Sequence, residues 1–261
     1  MILLKTLNKY LPIITILCII VIWEGMVRLL NIPTYILPGP YSIIKILVLM
    51  RSLILSHTLT TLYETTAGFG ISIIIGLLIS VIMSRSDTIR RVIYPLMVIS
   101  QTIPIIALAP IIIIWLGVGI LPKIFIVVIV CFFPICINTT TGLLSADKDM
   151  INLMKVMGAG YFKIFKDVNL PCALPNFFAG LKIAAAYSIM GAVIGEWLGA
   201  KSGLGIFMTR SMSSYRADML FAAITVVVVL SMLIFKLIEI IEKIAIPWDI
   251  KNIDIEKGDL T

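Results

Sequence analysis

Three carboxylates and one lysine, Glu24, Glu64, Glu196 and Lys182, stand in stretches otherwise fit for hydrocarbon. A charge near the centre of a bilayer costs about 2.5–3.5 kcal/mol on insertion scales, so each must face a helix bundle, a wet path or an interface. The chemistry open to such groups is recognition: a buried carboxylate holds a polar solute or a neighbouring helix. Glu64 sits among Thr58, Thr60, Thr61, Thr65 and Thr66, which fits either a path lining or a hydrogen bond to another helix. Gln101 and Pro104, in the run QTIPIIALAP, are the other candidate path residues, because prolines inside apolar helices free backbone carbonyls. That run reads equally as a kink that merely fits the bundle. The chain offers no catalytic arrangement. It has one histidine, His57, expected as a solvated interface residue, and no glycine-rich phosphate loop followed by Lys-Ser/Thr. Cys18, Cys131, Cys136 and Cys172 form no CxxC pair and read as packing residues, not as a metal site. The expectation is a chain that is not an enzyme and binds no cofactor or metal.

A second functional stretch is polar. Residues 146–175, ADKDMINLMKVMGAGYFKIFKDVNLPCALP, interrupt an apolar sequence with charged, helix-forming segments. Asp147 and Asp149 suit a helix N-terminus. Ile151, Met154 and Met157 then recur at helical spacing, with Leu153 beside them and Asn152 elsewhere on the wheel. Gly158-Ala159-Gly160 should end that helix. A second short piece carries Tyr161, Phe162 and Phe165, and Leu170-Pro171 and Pro175 should turn the chain back. The pattern predicts two short helices at an angle, meeting a soluble partner in water.

The elements that carry these residues are membrane spans. Of 261 residues 60% are hydrophobic and 13% charged, against about half and a quarter in an ordinary globular domain. Six apolar runs have the length of about 20 residues that a spanning helix needs. They cover residues 11–30, 59–83, 92–116, 120–142, 174–196 and 219–241, with the polar loop at 146–171, in one domain over 1–261. Residues 41–50 are too short to cross and read as interfacial. Ser72, Gly76 and Ser80 form a small-residue stripe on which helices can approach closely. Of the 21 lysines and arginines, 14 fall on one side and 7 on the other when the N-terminus is placed inside. That bias sets both termini in the cytoplasm. It also explains the net charge of +7 without nucleic acid. Glu24 and Glu196 then lie near the outer face, as interfacial carboxylates held by Arg28 or Lys201, or as gate or substrate contacts. Lys182 lies near the inner face, where it can snorkel. Lys5 and Lys9 precede the first run without a clear cleavage site, so that run is expected to remain as a helix.

The spacing Gly158, nine residues, Val168-x-Leu170-Pro171 resembles the cytoplasmic loop of permease subunits in bacterial ABC importers, which ends in G-x9-I-x-LP. The stretches IPIIALAPIIIIWLGVG, FFPICINTTTGL and GEWLGAKSGLG are similar to the nitrate/sulfonate/taurine branch of that family, over residues 30–245. The loop's glutamate-alanine-alanine positions fall on Asn152, Leu153 and Met154, a departure that removes any role for a glutamate there. Glu64 stands where many sulfonate-type relatives carry arginine, which leaves room for the thiamine-precursor branch.

The resemblance implies an all-α membrane protein of six transmembrane helices with a cytoplasmic coupling loop, of the type I importer kind. It implies a multi-pass protein of the bacterial cytoplasmic membrane that works as a homodimer. Two cytosolic ATPase subunits would carry ATP and magnesium, and an extracytoplasmic binding protein would deliver substrate. Asn152, Leu153, Met154, Met157, Gly158, Ala159, Val168, Leu170 and Pro171 would form the ATPase-coupling site. Glu64, Gln101, Pro104 and Glu196 would line the path of a small polar solute: a sulfonate, taurine, nitrate or a thiamine pyrimidine precursor. A self-sufficient secondary transporter would show inverted repeats and paired midplane charges, and neither is visible. A membrane scaffold for a soluble enzyme is the other alternative, disfavoured by the prolines of the third and fourth runs.

Overall fold

The computed structural model describes residues 2–248, with side chains from Leu11 onward except Pro12. Lys251 and Lys257, counted above as cytoplasmic charges, lie outside the described residues. The described chain is helical throughout: α1 (Ile2–Leu29), α2 (Pro40–Leu49), α3 (Arg51–Arg85), α4 (Asp87–Thr102), α5 (Ile105–Leu116), α6 (Leu121–Leu144), α7 (Lys148–Val156), α8 (Tyr161–Ile164), a π-helical turn (Phe165–Asn169), α9 (Leu170–Trp197), α10 (Leu204–Ser213) and α11 (Ala217–Ala245). The stretches Arg51–Arg85, Leu121–Leu144, Tyr161–Trp197 and Ala217–Ala245 are long and apolar enough to cross a membrane. Their outward faces expose Ile74, Leu78, Val229 and Met232, as hydrocarbon-facing helices do.

The centre is the α3–α6–α9 contact. Small residues bring these helices together. Ser72, Gly76 and Ser80 are all buried, and a methyl group on Gly76 would strike the Ile135 side chain of α6. On α9 the backbone at Gly180 passes so close to α6 that a methyl there would lie 2.7 Å from the Pro134 carbonyl oxygen. Val127, Cys131, Ile135, Ala184 and Ala185 fill the seam, each fully buried. Both buried cysteines are packing groups, and Cys131 Sγ donates to the Ala184 carbonyl at 3.4 Å.

Two expectations need correction. Residues 92–116 are not one straight span: α4 and α5 meet at 102° across Ile103-Pro104. Proline disfavours helical backbone in the residue before it, and Ile103 is extended, with φ −79° and ψ 121°. The second correction concerns Leu170-Pro171, which does not turn the chain back. α8, the π-helical turn and α9 run as one helical stretch, Tyr161–Trp197. Pro171 has no N–H, and its ring would collide with the carbonyl four residues back in a regular helix. The widened turn absorbs that conflict, with Leu170 N–H bonded back to the Phe165 carbonyl. Only α7 is therefore a free-standing helix in the polar segment.

Candidate functional site

Three groups of residues stand out, two in the bundle and one at its end. At the end carrying Arg51 and Trp197, α3 presents His57, Thr61 and Glu64 at successive helical turns. His57 and Thr61 face the start of α10, whose first N–H groups have no partner inside the helix. His57 Nδ1 accepts from the Gly203 N–H at 2.9 Å. Thr61 Oγ1 accepts from Leu204 N–H at 2.8 Å. Glu196 Oε2 accepts from Gly205 N–H, and its Oε1 accepts from the Thr61 hydroxyl at 2.6 Å. A carboxylate at a helix N-terminus is also favoured by the helix dipole. Gly203 has φ +124°, and a side chain there would run into the Glu196 carboxyl group. Glu196 is thus the fully buried peg that fixes the segment between α9 and α10. It is not the interfacial carboxylate held by Lys201 or Arg28 that the sequence implied. His57 is buried too, correcting its expected solvation.

Glu64 Oε1 lies 2.6 Å from Lys123 Nζ, which reaches over from the first turn of α6. Glu64 is 1% exposed and Lys123 8%, so both charges are withdrawn from water. The other carboxylate oxygen, Glu64 Oε2, has no hydrogen-bond donor. A cavity of about 550 Å³ opens beside the pair, with Thr60, Lys201 and Ser202 on its wall. Glu24, by contrast, pairs with Arg28 at 2.6 Å and caps α2 by accepting from Tyr41 N–H at 3.0 Å. Lys182 does more than snorkel, since it binds Glu242 of α11 at 2.9 Å.

A second cavity, of about 470 Å³, lies behind the α4–α5 bend. Gln101 and Pro104 line it, along with Phe133 and Asn138 of α6 and Tyr187 of α9. The four path residues named from sequence therefore separate. Glu64 lines the first cavity, Gln101 and Pro104 the second, and Glu196 neither. Sequence reasoning missed Lys123 and Asn138. Lys123 follows Pro122 in a first helical turn, at the same end of the bundle as Glu64, and that shared depth was the available signal.

The third group is the polar segment at the opposite end. The Asp147 carboxylate caps α7 by accepting from Asp149 N–H at 2.8 Å. Gly158 ends α7 with φ +81°. Ala159 N–H returns to the Met154 carbonyl and Gly158 N–H to that of Lys155, both at 2.9 Å, which is a Schellman closure. Val156, Met157 and Phe162 are 87%, 74% and 77% exposed. Asn152 and Leu153 are exposed with them, Met154 and Ala159 are half-buried, and Leu170 and Pro171 border the surface. Val168 is buried and packs the segment to the bundle. The Arg85 guanidinium at the end of α3 lies 4.5 Å over the Tyr161 ring, and that ring stacks on Phe165. This contact ties the segment to the α3–α4 junction. Such an exposed cation–π contact is worth about 0.5–1 kcal/mol. Arg85→Ala and Tyr161→Leu are each expected to loosen the segment and raise protease cleavage at residues 157–160 about two- to fivefold. An unchanged cleavage rate in both would show that the contact does not hold the segment in place.

Residues 68–247 match the profile of the binding-protein-dependent transport system inner membrane component. The chain belongs to that family. It is a permease subunit of an ABC importer, a multi-pass membrane protein and not an enzyme, with the ATPase on a separate subunit. It is 40% identical to the formylaminopyrimidine transport permease protein ThiX of Halalkalibacterium halodurans, over 91% of this chain and 95% of that one. It is 26% identical to a putative aliphatic sulfonates transport permease of Bacillus subtilis, over 88% and 84% of the two chains. Its fold is that of the inward-facing methionine transporter MetNI, with TM-score 0.65 at 22% identity, covering 74% of this chain and 96% of that one.

Proposed function

We propose that this permease works as a homodimer with two cytosolic ATPase subunits, which bind ATP and magnesium, and an external binding protein. Both termini lie in the cytoplasm in this reading, with α1 as the sixth crossing. The α7–α8 segment then projects inward and seats Leu153, Val156, Met157 and Phe162 in the ATPase. The observation that carries the docking site is the concentration of exposed apolar side chains on a polar, capped helix that no lipid covers in this topology. Gly158 and Ala159 set the angle of that helix, Leu170 and Pro171 join the segment to α9 without a turn, and Asn152 and Met154 flank it. Nucleotide-driven closure of the ATPase pair moves the segment, and the bundle switches between two packed states as rigid bodies. Glu64, Gln101, Pro104 and Glu196 belong to the path or to the groups that hold its walls.

The solute is drawn from those the relatives carry, with a pyrimidine precursor of thiamine first, riboflavin second and alkanesulfonates third, in the order of sequence identity. Deletion of the gene tests this. Uptake of a labelled formylaminopyrimidine is expected to fall to background and to return with the wild-type gene. Uptake unaffected by the deletion, for every solute of a panel including taurine and nitrate, would refute the transport role.

A further inference from the structure

The cavity behind the α4–α5 bend differs in kind from the one beside Glu64. No Lys, Arg, His, Asp or Glu lines it. Its residues Phe133 and Tyr187 lie near the middle of Leu121–Leu144 and Leu170–Trp197, well away from water on either side, with Asn138 on α6 beyond Phe133 toward the Leu144 end. At that depth an unpaired anion meets no compensating charge, and its desolvation is uncompensated. The polar groups on its wall are the carboxamides of Gln101 and Asn138 and the hydroxyls of Ser100 and Tyr187, and Ser100 Oγ is committed to the Met97 carbonyl at 2.7 Å. Asn138 Nδ2 donates to the Pro134 carbonyl at 2.8 Å. That bond orients the group and leaves its carbonyl oxygen and second N–H without a partner among the described residues. Gln101, at the end of α4, makes no hydrogen bond within the described chain. A carboxamide sets a donor beside an acceptor. That array complements a ring nitrogen next to an exocyclic amine, as in the pairing of Asn or Gln with adenine. Phe133 and Tyr187 add aromatic faces to the same wall. The volume of about 470 Å³ lies within the usual range for small-ligand pockets.

We infer that this mid-bundle cavity is a transient binding site for a neutral, planar aminated nitrogen heterocycle, read by Gln101 and Asn138, and that it rejects sulfonate and nitrate anions. The inference rests on the permease reading above and adds the selecting site, which lies in the membrane subunit itself. The α4–α5 bend creates the cavity, because a straight helix over residues 92–116 would present no re-entrant wall.

The test uses the purified permease–ATPase complex without its binding protein, so that delivery does not enter. Labelled 4-aminopyrimidine and labelled ethanesulfonate are offered at equal concentration in equilibrium dialysis. Wild type is expected to retain the heterocycle at least tenfold over the sulfonate. Gln101→Met and Asn138→Leu should each weaken retention about tenfold, and together abolish it. Variants are scored only as complexes that copurify with the ATPase. Equal retention of both probes, no retention of either, or undiminished retention in the double variant would overturn the inference. The last two outcomes would point to lipid or a second copy of the chain as what fills the cavity. Uptake in the deletion strain is read separately. Intact gene-dependent uptake with failed retention removes the cavity site alone, whereas absent uptake removes the transport role.

Discussion

Lys123→Met is expected to deplete folded protein from the membrane and to lower the thermal midpoint of what remains in detergent. Among the described residues the ammonium of Lys123 is the only cation paired with Glu64, at 2.6 Å, and Glu64 is 1% exposed. Removing one member of a buried pair strands the other charge, at a cost of about 3–5 kcal/mol. The neighbourhood offers little relief. Glu64 Oε2 already lacks a donor, and the Thr61 hydroxyl and Gly205 N–H are committed to Glu196. The reverse variant, Glu64→Gln, leaves a lysine that still opens on a cavity and is expected to cost less. The double variant Glu64→Gln/Lys123→Met should recover most of the lost stability, because apolar or neutral replacement of a whole buried pair is often neutral. Recovery of stability without recovery of uptake would assign the pair a role in the solute path. Recovery of both would make it structural. A Lys123→Met single variant as stable as the parent would refute the stranded-charge argument.

The same pair marks where sequence reading stopped. Composition and the length of apolar runs made an all-helical membrane protein legible, because the hydrocarbon leaves a chain so few ways to satisfy its backbone. The loop glycine was legible for a local reason: a Gly before a second Gly, after a helical apolar spacing, marks a chain end for α7 wherever the rest of the fold goes. Partner choice was not local. Glu64 and Lys123 are 59 positions apart, and nothing in either neighbourhood names the other. Glu196 and His57 show the same limit. Each was read as interfacial from its distance along a run, yet each is buried because the α9–α10 connection folds back on α3 and supplies N–H donors at Gly203 and Gly205. The π-helical turn before Pro171 was hidden for another reason. Proline reads as a breaker in sequence, and only the added residue of the widened turn lets the helix continue through it.

Gly158→Leu is expected to reduce stimulated ATP hydrolysis by the reconstituted complex to its basal level while the protein still inserts. Gly158 holds φ +81°, a left-handed conformation that costs residues with a side chain about 1–2 kcal/mol. Space is not the obstacle, since no atom lies within 4 Å of where its Cβ would stand. The penalty is conformational, and the chain escapes it by abandoning the left-handed residue. The two closing bonds to the Met154 and Lys155 carbonyls are then lost, and the last turn of α7 changes direction. Leu153, Val156 and Met157 ride on that turn, so the proposed docking surface turns with it. None of them is buried in the bundle, which is why insertion and core stability should survive. Gly158→Asn should retain more activity, because asparagine visits the left-handed region more readily. Gly160 supplies the internal control. It too has open space around it, but its φ is −70°, so Gly160→Leu should couple nearly as the parent does. Equal loss at both positions would show that bulk on the surface matters and the left-handed turn does not. Normal stimulation in Gly158→Leu would remove the α7 end from the coupling pathway.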